Sequence, residues 1–249
     1  FKADTGALLW RKVVENVPGS PAEQPRVSDD TGHAAATLVV HGAQVCAIFS
    51  NGDLVSYSST GELLWARNLG IPDNHYGHSS SLIAYDNLLH VQFDQSKKPK
   101  VIAVDLATGK EVWSVGRDSI SWASPICAPT AFGPQLILNS SKSVTAYAPD
   151  TGKELWQEVC LGGEVAPSAA YHDGVVFVAN EYAMGTAIQL SASGDTVKAE
   201  VKWEWDELLP EVSSPIADQG HIYITTSVGD IVCLKADTGE EMYIEMVDE

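Results

Sequence analysis

The stretch Ala107–Gly116 reads ATGKEVWSVG, a Thr-Gly turn with a tryptophan four residues past the glycine. Close copies stand elsewhere: ADTGALLWRK from Ala3, SSTGELLWAR from Ser58, PDTGKELWQE from Pro149 and ADTGEEMYIE from Ala236. The turn glycines are Gly6, Gly61, Gly109, Gly152 and Gly239, and the paired aromatics are Trp10, Trp65, Trp113, Trp156 and Tyr243. The long gap between Gly152 and Gly239 holds a degenerate copy at Gly194, whose hairpin is longer and whose Trp203 arrives late. Successive glycines are then 55, 48, 43, 42 and 45 residues apart.

Periods of about 40–50 residues built from short strands and turns are the signature of propeller blades. The copy spanning WASPICAP, QLILNSS, KSVTAYAP and TGKELWQEV shows four strand-like runs divided by Pro, Asn, Asp, Ser and Gly. In it the alternation predicts Val144, Ala146 and Leu155 packed, with Ser143, Thr145 and Glu154 facing outward. The glycine supplies the positive φ of a tight hairpin between third and fourth strands. An Asp or Ser two residues earlier is expected to brace that turn. The tryptophan fills the wedge between neighbouring blades, each ring contributing about 2–3 kcal/mol of burial. The repeated motif is therefore read as the joint between blades.

These residues resemble the PQQ-like repeat family, whose docking motif runs Ala-x-Asp-x-x-Thr-Gly-Lys-x-x-Trp. AVDLATGKEVW at 103–113 matches it throughout, with AYAPDTGKELW at 146–156 and LKADTGEEMY at 234–243 close behind. The family includes quinoprotein alcohol dehydrogenases, the outer-membrane assembly lipoprotein BamB and other secreted or envelope propellers. The resemblance implies an all-β propeller of four-stranded blades over residues 1–249. Residues 1–18 read as the last hairpin of an incomplete blade. Five full blades follow at approximately 19–70, 71–118, 119–160, 161–206 and 207–249. Because family rings carry seven or eight blades, the chain is expected to be part of a longer product. The resemblance also implies a periplasmic, outer-membrane-associated or secreted location.

Composition narrows the function. The 249 residues are 45% hydrophobic and 19% charged, enough apolar mass for a real core. A net charge of −18, from 15 basic and 33 acidic residues, opposes binding to nucleic-acid phosphates. No apolar run reaches the roughly 20 residues of a membrane-spanning helix. Cys46, Cys127, Cys160 and Cys233 form no CxxC pair, and their setting favours free thiols over bridges.

Chemistry in a propeller gathers where inner strands begin, at the mouth of the central channel. Those openings read TGHAAAT (31–37), YGHSSS (76–81), ISWASP (120–125), GGEVAPS (162–168) and PEVSSP (210–215). They place His33, His78, Trp122, Glu164 and Glu211 around one candidate rim, able in principle to take a cation or a polar ligand. His75 beside His78 is a weak zinc signal without a third ligand. Quinoprotein membership would imply PQQ held over an adjacent cysteine pair, with a Glu and Asn on calcium and a catalytic Asp. No Cys-Cys dipeptide is present, and no residues match that set. The favoured expectation is a non-catalytic propeller without a cofactor that binds a protein partner. The alternatives are a PQQ- and calcium-dependent oxidoreductase and a small-ligand or cation-binding propeller.

Overall fold

A computed structural model describes residues 1–29, 31–194 and 196–247. Its described residues contain no helix and form five four-stranded antiparallel sheets, each a meander in chain order. The first sheet is β1 (Val39–His41), β2 (Gln44–Ile48), β3 (Asp53–Ser58) and β4 (Leu63–Asn68). The second is β5 (Ile83–Tyr85), β6 (Leu88–Phe93), β7 (Lys100–Asp105) and β8 (Glu111–Gly116). The third is β9 (Ile126–Thr130), β10 (Gly133–Asn139), β11 (Val144–Tyr147) and β12 (Glu154–Glu158). The fourth is β13 (Ala170–His172), β14 (Val175–Val178), β15 (Gly185–Ser193) and β16 (Thr196–Trp205). The fifth is β17 (Ile216–Asp218), β18 (His221–Thr225), β19 (Asp230–Lys235) and β20 (Glu241–Met246). The first strands are the inner ones, with β1 against β5, β5 against β9 and β13 against β17. This is the propeller architecture that the repeat predicts.

The core lies between sheets. Ile48, Leu54, Leu89 and Ile102 fill the space between the first and second blades. Val101, Leu136, Leu138 and Tyr147 fill that between the second and third. Ile137, Ala146, Val176 and Ile188 join the third to the fourth, and Phe177, Ala187, Ile222 and Leu234 join the fourth to the fifth. A middle strand thus has a neighbour on both faces, and every residue of β6, β11 and β14 is buried. This overturns the outward assignment of Ser143 and Thr145, which are 0% and 1% exposed. Their hydroxyls are satisfied inside: Ser143 Oγ donates to Asp118 Oδ2 at 2.7 Å, and Gln157 Nε2 donates to Thr145 Oγ1 at 3.1 Å.

The joint is built as follows. Trp65 Nε1 donates to the Leu106 carbonyl at 2.7 Å, and its ring lies on Gly109 of the next blade. Gly109 has φ +67°, and a Cβ there would sit 2.6 Å from the indole, so both backbone and ring demand glycine. Trp10 on Gly61, Trp113 on Gly152 and Trp203 on Gly239 repeat the contact, donating to the carbonyls of Ser59, Pro149 and Ala236. The turn is braced from further back than two residues. Asp105 Oδ1 accepts from the Thr108 N–H at 2.8 Å, and Ser58 Oγ accepts from the N–H groups of Thr60 and Glu62. Each hairpin carries a β-bulge just ahead of its aromatic, with register shifts after Ser56, Ala103, Ala146, Ala187 and Cys233. The extra residue turns the ring toward the neighbouring blade.

Trp156 departs from the pattern. The long β15–β16 hairpin carries Gly194 beyond its reach, and a Cβ at Gly194 would touch nothing within 4 Å. The Trp156 N–H turns instead to Gln135 Oε1 on β10 of its own blade, at 2.7 Å. Tyr243 occupies the fifth joint position and is 42% exposed.

Candidate functional site: the rim cavity

In a four-stranded meander, the segment before the first strand and the loop between the second and third share one end of the blade. Backbone bonds tie the two together repeatedly: Ser50 N–H to the His33 carbonyl, Ser96 N–H to Asp73 and Ser141 N–H to Ile120, at 2.8–3.0 Å. The joint turns occupy the opposite end, where the Leu106 N–H donates to the Asn87 carbonyl and the Ala236 N–H to Gly220. The first end is the rim.

Along the inner wall the blades are stitched by hydroxyls. The N–H of Thr37 donates to Ser81 Oγ, that of Ser81 to Ser124 Oγ, that of Ser124 to Ser168 Oγ and that of Ser168 to Ser214 Oγ, at 2.9–3.1 Å. Small residues let the inner strands approach closely enough for one hydroxyl to reach the next backbone. The ladder also sets the true register between openings. Two residues before each ladder position, Ser79, Trp122, Ala166 and Val212 all line a single cavity of about 530 Å³. All five blades contribute to it, the first through Thr31.

Three aromatic side chains and three carboxylates dominate that cavity: Tyr76, Trp122 and Tyr182 with Glu164, Glu181 and Glu211. The rings are held. Trp122 Nε1 donates to Asn74 Oδ1 at 2.8 Å, and Tyr76 meets the indole edge-on at 5.5 Å between centroids. Tyr182 packs against Gly163, where a Cβ would come 2.5 Å from its ring. The Tyr76 hydroxyl donates to Glu164 Oε2 at 3.4 Å. A hydrogen bond to Glu181 holds the proton on the Tyr182 phenol and raises its pKa, and the charges of Glu164 and Glu211 push the same way.

Of the five residues predicted for one rim, the structure brings Trp122, Glu164 and Glu211 together and sets both histidines apart. His33 lines a different hollow of about 360 Å³ with Lys12, Asn51 and Asp53, its Nδ1 paired with Ser50 Oγ at 2.9 Å. His78 is 4% exposed, stacks over Phe93 and pairs through Nε2 with the Ser80 carbonyl at 2.9 Å. Burial lowers its pKa to about 4, leaving a neutral packed ring. His78 stands three residues before its ladder serine, as do the buried Ser121 and Val165, whereas Glu211, three residues before Ser214, is exposed and lines the cavity. His75 sits edge-on to Tyr76 at 5.0 Å. Tyr76, Glu181 and Tyr182 were missed from the sequence. For Glu181–Tyr182, the usable signal was their place between second and third strands, which the meander brings back to the rim.

Among the described residues, no three His, Cys, Asp or Glu side chains lie close enough to hold a metal ion. The four cysteines are free and dispersed, Cys46 and Cys233 buried in strands. Burial pushes the Cys160 thiol up to about 12 and raises that of Cys46, so both are poor nucleophiles and poor ligands.

A family model described as outer membrane protein assembly factor BamB matches residues 1–128, about half of the chain. The chain belongs to this BamB family of PQQ-like propellers. Its fold matches that of BamB from Moraxella catarrhalis at a TM-score of 0.64 and 13% identity, covering 85% of this chain and 64% of that one. It also matches quinohemoprotein alcohol dehydrogenase from Comamonas testosteroni at 0.61 and 14% identity, covering 87% and 43%. A quinohemoprotein alcohol dehydrogenase from Pseudomonas putida HK5 gives 0.56 at 13% identity, covering 86% and 42%. The chain therefore spans less than two thirds of the length of these proteins, and at such identities they share its fold alone. No curated protein matches the sequence. No helix among the described residues is long and apolar enough to cross a membrane.

Proposed function

We propose that this member of the BamB family is a non-catalytic binding propeller of the bacterial cell envelope, periplasmic or outer-membrane-associated, whose rim receives a protein partner. The observation that carries the reading is the rim cavity, to which all five blades contribute and whose aromatic side chains are fixed in place. A preformed concave surface with a few oriented polar groups is what a binding site needs. The family's description as an outer-membrane assembly factor supports a protein as the partner.

The test is site-directed photocrosslinking in envelope preparations. A crosslinker at Val212, in the cavity wall, should give a discrete protein adduct. One at Phe132, in the β9–β10 turn at the opposite end, should not. Equal adducts at both positions, or none at Val212, would overturn the reading.

A further inference from the structure

The proposed function leaves the partner's chemistry open, and the cavity walls narrow it. Glu164, Glu181 and Glu211 all face the cavity, and no ion pair among the described residues engages any of them. They are part of the chain's net charge of −18. An anionic or neutral apolar ligand would bury those carboxylates without compensation. A bare divalent ion needs several oxygens at about 2.4 Å around one point, whereas these carboxylates are spread around the cavity and form no such group. A spread of negative charge around fixed aromatic faces suits a cation that is broad and flat.

The rings add the second requirement. Trp122 and Tyr182 are positioned by the Asn74 bond and the Gly163 backbone, so their faces are available without reorganisation. A planar guanidinium stacks on such faces and also pairs with carboxylates through its N–H fork, which a compact ammonium does less well. The wall carries one further acceptor: Ser79 Oγ is buried and has no hydrogen-bond partner.

We propose that the rim cavity is an arginine-binding site, taking a guanidinium side chain presented by a partner polypeptide between Trp122, Tyr182 and the carboxylates of Glu164 and Glu211. The proposal rests on the reading of the rim as the partner-facing end and specifies what enters it. The guanidinium stacks on the indole, its N–H groups face the glutamates, and its apolar stem lies along Ala166 and Val212. Affinity is expected to weaken with added salt, because the carboxylates are exposed.

The experiment is calorimetric titration of the chain with an acetylated, amidated Gly-Arg-Gly peptide and with the same peptide carrying citrulline, the neutral isostere of arginine. The arginine peptide should bind and the citrulline peptide should not. Glu164→Gln and Glu211→Gln should each weaken the arginine peptide by about fivefold, and Trp122→Leu by about tenfold. Both glutamates are exposed, so these variants should melt like the parent. Trp122→Phe, which keeps a ring, should restore part of what the leucine loses. Free arginine has the same net charge as the capped peptide but lacks its flanking backbone, so it should bind more weakly than the peptide. Tighter binding of free arginine would overturn the assignment to a polypeptide. Equal binding of the citrulline peptide, or loss of binding to calcium beyond the effect of matched ionic strength, would overturn the guanidinium site itself. A rim that crosslinks a partner yet ignores the arginine peptide overturns this inference and leaves the binding-propeller reading standing. A rim that takes the peptide but crosslinks nothing overturns the binding-propeller reading and the polypeptide source with it, leaving only the guanidinium chemistry of the cavity.

Discussion

His78 shows how a residue type that advertises chemistry becomes packing. Its ring is stacked over Phe93 at 5.7 Å and 23° between planes, with one nitrogen on the Ser80 carbonyl. Desolvation lowers its pKa from 6.5 to about 4, against which the Ser80 bond works. The unfolded chain then binds a proton between those values that the folded chain refuses, so stability is lost as pH falls through that window. A displacement of this size corresponds to about 3 kcal/mol at its acid limit. His90, whose pKa burial also lowers, acts in the same direction. Urea unfolding from about pH 7 to about pH 4.5 should therefore show a shallower acid loss in His78→Gln than in the parent. Identical slopes would mean that His78 accepts its proton without unfolding. The sequence offered His78 as a rim ligand because YGHSSS (76–81) reads as the opening of an inner strand. Its burial is visible only in the packed structure, where the ring lies on Phe93 of its own blade.

At the scale of the element, the hairpin between third and fourth strands is the unit that the chain repeats. Its Thr-Gly turn, its bulge and its aromatic act together: turn and bulge aim the ring, and the next blade's glycine receives it. Two glycines separate the components. Gly109→Ala places a Cβ into the Trp65 ring and also forces alanine into a left-handed backbone. Gly194→Ala, at φ +59° with open space around it, meets the backbone penalty alone. The backbone term is about 1–2 kcal/mol for either, so Gly109→Ala should cost more than Gly194→Ala by the added clash. Equilibrium denaturation of the two variants checks this, and equal losses would deny the joint its role. These hairpins were legible because turn chemistry and spacing are local. The burial of Ser143 and Thr145 was not, because alternation reports one buried face and a middle strand here has two.

Over the whole molecule, stability resides in interfaces between sheets. Four apolar clusters lie between successive blades, and the serine ladder crosses the same four interfaces at the inner wall. No blade buries its faces alone, so each is held by its neighbours. Ser124→Ala removes the hydroxyl that accepts the Ser81 N–H from the preceding blade. The orphaned amide should exchange with solvent about tenfold faster, consistent with a loss of about 1–2 kcal/mol. Amide exchange read residue by residue tests this; unchanged protection at Ser81 would show that the ladder is incidental. The sequence by itself determined the architecture, through five near-copies of one hairpin whose turn and aromatic are dictated by local backbone and packing needs. It also nominated Trp122, Glu164 and Glu211. Only the tertiary structure decided that these meet Tyr76, Glu181 and Tyr182 while His33 and His78 stay outside, because a site on an axis depends on register between blades. That register is set by contacts across more than 40 residues, which no local pattern encodes.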